Sequence, residues 1–212
     1  MNKLNFRLSV LVTFILHFGL MSSLYAQIVP LHLNILEFGA VQDSSVTSTN
    51  AIQTAINRCY LHGGGTVYIP AGKYLTGTVI LKDNVTLYVD SGATLFASRN
   101  IQDYIAPLKD ATRPVLIYSN GAKNVSIKGK GIIHGQAKRT YEDLRRIDPY
   151  ITEITEHARA AGVEMKRYYP VKPDVSMIIF YDCQNIRIED ISLIESSFWT
   201  LQFVLCSDVN IN

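Results

Sequence analysis

Residues 183–188 read Cys-Gln-Asn-Ile-Arg-Ile, and residues 206–211 read Cys-Ser-Asp-Val-Asn-Ile. Two independent marks, Cys183 with Cys206 and Asn185 with Asp208, keep the same spacing of 23 residues. The phrase of Asn or Asp, then Val or Ile, then any residue, then Leu or Ile also occurs at Asn84-Val85-Thr86-Leu87 and Asn124-Val125-Ser126-Ile127. A period of this size fits one coil of a parallel β-solenoid, made of three short strands and three turns. Each apolar side chain then stacks on its equivalent one rung away, about 4.8 Å along the axis. Asn at a repeated turn position forms a ladder in the same way. The interval of 40 between Asn84 and Asn124 reads as two coils, one of them short, and the stretch from Asn124 to Asn185 as containing an insertion.

Upstream of these phrases the period is helical. Ile52, Ala55, Ile56, Cys59 and Tyr60 fall on one face of a helix that starts around Ser48 and stops at Gly63-Gly64-Gly65. From Thr66 the period changes to two. Short β-rich segments at 66–69, 78–81, 85–89 and 93–96 are separated by Pro70, Gly72, Gly77, Asp83-Asn84 and Ser91-Gly92. The strands are too short for a sandwich, and their connections too short for βαβ crossovers. The expected fold is therefore all-β: a right-handed, single-stranded parallel β-helix whose N-terminal helix caps the open end of the apolar stack. An insertion at 136–172 interrupts it, with helices expected near 137–165. Thr140 with Asp143 resembles a capping box, and Asp148-Pro149 starts a second helix through Ile151, Ile154 and Ala158 to Gly162. Its eight cations and six acids make it largely a solvated face.

Composition bounds the function. Of 212 residues, 48% are hydrophobic, enough for a packed core. Setting aside Lys3 and Arg7, the 20 cations fall to 18 against 18 acids, so the basic excess that drives binding to nucleic acid is missing. Residues 1–26 read as a secretory signal: two cations, the apolar run Leu8–Met21, then small residues before a cut after Ala26. That run falls short of the roughly 20 residues a membrane-crossing helix needs, and no further span is expected after its removal. Export to the periplasm or the extracellular space is the expected destination, with 27–212 the mature β-helix domain. Three cysteines, Cys59, Cys183 and Cys206, exclude a disulfide scaffold, and stability must come from apolar burial. Nothing in the sequence fixes an oligomeric state.

The residues then carry a resemblance. Glu37–Ala40, Asn50–Ile56, Gly64–Tyr74 and Val85–Val89 are similar to the start of pectin-acting right-handed β-helix enzymes. Ile127-Lys128-Gly129-Lys130-Gly131-Ile132-Ile133-His134-Gly135-Gln136 and Ile194-Glu195-Ser196-Ser197-Phe198-Trp199-Thr200 resemble the polygalacturonase family, glycoside hydrolase family 28. The family usually has Asp where His134 stands and Pro where Ser197 stands, departures that loosen the specificity assignment rather than the family. The resemblance covers the family's N-terminal half. Its Asn-Thr-Asp, Asp-Asp, Gly-His-Gly and Arg-Ile-Lys motifs, which carry catalysis, do not occur in this chain. The expectation is a fragment of a secreted, inverting glycosidase acting on acidic, galacturonate-containing plant polysaccharide, needing no cofactor or metal and inactive by itself. Inversion needs two carboxyls roughly 6.5–9.5 Å apart, which on a β-helix come from neighbouring rungs.

No residue is assigned a catalytic, substrate-binding or metal role from sequence. Glu189, Asp190 and Glu195 read as turn charges rather than an acid/base pair, since adjacent strand residues face opposite ways. Asp182 and Asp208 suit turn hydrogen bonding. His134 lacks an evident partner. Cys183 and Cys206 read as a ladder of small apolar fillers in preference to a disulfide. Of Phe198 and Trp199, alternation puts one inward, favouring core packing over a sugar platform. Arg167 with Tyr168 and Tyr169 is the patch to test against uronate carboxylates. Two other functions compete: a polysaccharide lyase on this fold, which commonly recruits Ca²⁺ and so wants clustered oxygen ligands not found here, and a non-catalytic glycan-binding solenoid.

Overall fold

The computed structural model describes residues 30–105, 114–137, 141–143, 149–165, 168–170 and 175–212. The expected leader at 1–26 lies outside them. Three parallel sheets run along one axis. The largest takes β1 (Leu31–Asn34), β2 (Gly65–Ile69), β5 (Val85–Val89), β8 (Lys123–Lys128), β13 (Gln184–Glu189) and β16 (Ser207–Ile211). The second takes β4 (Val79–Ile80), β7 (Val115–Asn120), β12 (Ser176–Tyr181) and β15 (Leu201–Val204). The third takes β3 (Gly72–Thr76), β6 (Ala93–Ala97), β9 (Ile132–His134) and β14 (Ser192–Ile194). Consecutive strands go to different sheets, and each strand pairs in parallel with its equivalent one coil away. This is the expected β-helix, wound right-handed as parallel crossovers are.

Register places like on like. Val67, Leu87, Ile127 and Ile188 stack in one inward column, all at most 3% exposed. Phe180 and Phe203 lie parallel in another, centroids 5.6 Å apart. Asn84, just before β5, and Asn124, Asn185 and Asp208, the second residues of β8, β13 and β16, stand where the chain enters the large sheet, each with φ between 54° and 59°, a left-handed conformation that Asn and Asp adopt more readily than other non-glycine residues. Asn124 donates to Asn84 Oδ1 at 2.7 Å and Asn185 to Asn124 Oδ1 at 2.8 Å, so the ladder expected from the repeated phrase exists. Leu87 pairs directly with Ile127. The interval of 40 is therefore one coil rather than two. After β6 the chain leaves the third sheet through a 3-10 turn at Ile101–Asp103, and the extra residues of this coil fall between β6 and β7.

Helix α1 (Thr49–Leu61) packs against β1, β2, β4 and β5 and buries Ala51, Ile52, Ala55, Ile56 and Cys59. Tyr60, expected on the same face, is instead 41% exposed beneath the Lys82 ammonium. Within the insertion, the proposed first helix is corrected: β10 (Tyr141–Asp143) pairs antiparallel with β11 (Tyr168–Pro170). The capping-box pattern is a local signal, and the pairing strand lies too far along the chain for it to register. The second helix is present as α2 (Pro149–Ala160), opened by its proline and closed at Gly162, φ 77°.

Candidate functional site

All strands of the third sheet end on one edge of the solenoid, where the chain departs toward the second sheet. The segment after β6, the insertion after β9 and the 195–200 loop after β14 all leave from this edge. On the outer face of the third sheet, register aligns Phe96, His134 and Ile194. The His134 ring lies on the Phe96 ring, centroids 5.1 Å apart and tilted by 35°. Its Nδ1 accepts the Gln136 backbone N–H at 3.0 Å. Its Nε2 stands 4.0 Å from Glu195 Oε2, with the two side chains 21% and 23% exposed.

The backbone fixes this geometry. Gln136 and Glu195 both take positive φ, 58° and 51°, turning the chain sharply as each strand ends. Gly135 N–H donates to Ile194 O at 2.9 Å and Ala137 N–H to Glu195 O at 3.0 Å, tying the two loops together rung to rung. The Gln136 side chain reaches down a further rung to Ala97 O at 2.6 Å. Ser197, which stands where a proline was expected, is 3% exposed, and its hydroxyl both accepts from Val175 N and donates to Val175 O. These bonds pin the loop that a proline would stiffen covalently.

His134 and Glu195, weighed separately from sequence, are brought together. Phe198 and Trp199 are corrected: both are at the surface, 36% and 58% exposed, with rings at 76° and centroids 5.6 Å apart. Strand alternation does not apply to them, because 195–200 is loop. Glu189 lies elsewhere, ion-paired to Lys128 at 2.9 Å across β13 and β8, and Asp190 sits in the turn before β14, φ 61°. Both precede β14, whereas Glu195 follows it. Asp182 and Asp208 both take left-handed turn conformations. Cys183 and Cys206 are free thiols in the ladder arrangement, on aligned positions of successive rungs. Arg167 lies outside the described residues, as do the side chains of Tyr168 and Tyr169. Among the described residues no three His, Cys, Asp or Glu side chains cluster as a metal site. Sequence reasoning missed Phe96 and Gln136, since their partners lie a whole coil away.

Coils of three parallel sheets around a stacked apolar core, with loops of unequal length fanning from one edge, define a pectate-lyase-like β-helix protein. The family model for rhamnogalacturonase A/epimerase, pectate lyase-like, matches residues 32–140, and the chain belongs to that family. The exo-poly-α-D-galacturonosidase of Dickeya chrysanthemi is 34% identical over 131 residues, covering 55% of this chain and 21% of that protein. A probable polygalacturonase of Vitis vinifera is 31% identical over 141 residues, covering 57% and 29%. The hyperthermoactive exopolygalacturonase of Thermotoga maritima superposes with a TM-score of 0.65 at 24% identity, over 87% of this chain and 46% of that one. The resemblance to the polygalacturonase family holds over this part of the chain. The chain spans 21% and 29% of the two sequence relatives' lengths.

Proposed function

We propose that the chain forms the N-terminal rungs of an exported glycosidase that hydrolyses galacturonate-containing pectic polysaccharide with inversion. The relatives named above support the substrate class, and the basic, apolar and small-residue order of 1–26 supports export. The observation that carries the reading is the third-sheet edge, where His134, Gln136 and Glu195 meet from the two motifs most similar to the polygalacturonase family. Glycan is bound there. Glu189 and Asp190 share the corner before β14 and Glu195 stands at the corner after it, so in this reading they do not supply the two carboxyls that protonate the leaving oxygen and activate water, and the chain by itself binds without cleaving.

The test is electrophoresis through gels containing polygalacturonate or a neutral polysaccharide, run beside a reducing-end assay. Selective retardation in polygalacturonate with no release of reducing ends is expected. Reducing ends released by the chain alone contradict the non-cleaving reading, and unsaturated ultraviolet-absorbing products indicate a lyase instead.

A further inference from the structure

We propose that Cys183 and Cys206 are a thiol pair placed to close into a disulfide across two rungs, sealing one whole coil of the solenoid into a covalent ring. The two residues sit at the same point of the same turn. Tyr181 pairs with Val204 before that turn, and Gln184 with Ser207 after it. Between them Asp182 and Leu205 both take left-handed conformations, φ 51° and 55°, and Ser207 N–H donates to Cys183 O at 3.0 Å. Equivalent positions on neighbouring rungs stand about 4.8 Å apart. That lies inside the roughly 4.4–6.8 Å between α-carbons that a disulfide spans.

The two thiols reach the same stretch of backbone. Cys183 Sγ donates to Tyr181 O at 3.2 Å. Cys206 Sγ lies 3.4 Å from Val204 O, the equivalent atom on its own rung, and 3.4 Å from Phe180 O, next to Tyr181 on the rung of Cys183. Cys206 thus leans toward its counterpart. Neither S–H donor is indispensable, because Tyr181 O also accepts Gly121 N–H at 2.9 Å and Val204 O accepts Asp182 N–H at 2.8 Å. Losing the thiol protons leaves both carbonyls bonded.

Exposure sets the order of the chemistry, since Cys206 is half-buried and Cys183 is 2% exposed. Cys206, as thiolate, attacks the disulfide of a small-molecule or protein oxidant, and one half of the oxidant leaves as a thiol. Cys183 then gives its proton to solvent and attacks the Cys206 sulfur, and the second half leaves as a thiol. The chain loses two hydrogens and two electrons, and the oxidant gains them. Cys59, fully buried under α1, takes no part. The ring that closes contains β13, β14, the 195–200 loop and β15, so it restrains the loop at the third-sheet edge. The pairing is independent of the function proposed above, although export delivers a chain to compartments where such oxidants act.

The experiment incubates the full chain with oxidised glutathione, alkylates the remaining thiols under denaturing conditions and maps the peptides by mass spectrometry. A Cys183–Cys206 cross-linked peptide, lighter by two hydrogens than its reduced parts, is expected, with Cys59 alkylated. The oxidised chain is expected to melt roughly 5–10 °C above the same chain in dithiothreitol, whereas Cys206→Ser melts alike in both buffers. Because the parent is compared with itself, a variant that folds poorly does not obscure the result. Cys183 and Cys206 recovered alkylated, capped by glutathione or joined to Cys59 overturn the pairing. A cross-link that leaves the melting temperature unmoved overturns its role as a restraint on the coil.

Discussion

Gly135 shows how narrow the tolerances are at this edge. A Cβ added there would lie 2.3 Å from Glu195 O and 2.9 Å from Ser196 Cα, both backbone atoms. The 195–200 loop would have to move off the rung below, and Gly135→Ala is expected to cost about 1–3 kcal/mol and lower the melting temperature by several degrees. Thermal unfolding followed by circular dichroism checks this, and an unchanged transition would show that the loop is not seated as described. The sequence marked this glycine only as part of a family-like string. It marked Ser197 as a departure, and only the tertiary structure shows why serine serves, since its hydroxyl reaches Val175, 22 residues back in the chain.

At the scale of the element, the turn ladder is where sequence and structure meet most directly. Asn124 donates to Asn84, accepts from Asn185 and holds φ at 56°. Asn124→Ala removes both bonds and puts a residue with no local compensation into the left-handed region, a loss of about 2–3 kcal/mol. Asn124→Gly removes the bonds and keeps the conformation, a loss of about 1 kcal/mol. Urea unfolding midpoints in the order parent, Gly, Ala are expected; Gly falling below Ala would mean that backbone strain plays no part. The ladder was legible because every rung repeats the same short phrase. Coil length was not, because loops leaving the third sheet vary freely while the strands stay in register, so an interval of 40 residues and one of 61 each close a single coil.

For the whole molecule, the apolar stack has a consequence in alkali. Tyr74, Tyr104 and Tyr118 are at most 9% exposed, and burial pushes all three phenols above their ordinary range, aided at Tyr104 by the Asp103 charge. Below about pH 10 folded and unfolded chains both keep these protons, and their burial carries no linkage penalty. Above it the unfolded chain releases them first, so stability falls as pH rises. Urea midpoints at pH ~8 and ~11 are expected to differ in that direction, with the exposed phenols ionising in the folded chain and the share of tyrosinate absorbance from the buried three appearing only as the fold is lost. Ionisation of all tyrosines without unfolding would contradict the burial.

The repeated phrase, the 23-residue spacing and the period-two runs determined the solenoid from sequence alone, because stacking each residue on its equivalent makes the fold a local, repeated decision. The helix over the first rungs was equally legible, its apolar face being written in consecutive turns. Tertiary structure alone decided which residues share the third-sheet edge. His134 and Glu195 are 61 positions apart and meet because β9 and β14 are in register. The strand pairing of Tyr141–Asp143 and the outward placement of Phe198 and Trp199 belong to the same class. Contacts between loops depend on where the intervening chain returns, and no periodicity within either loop records that.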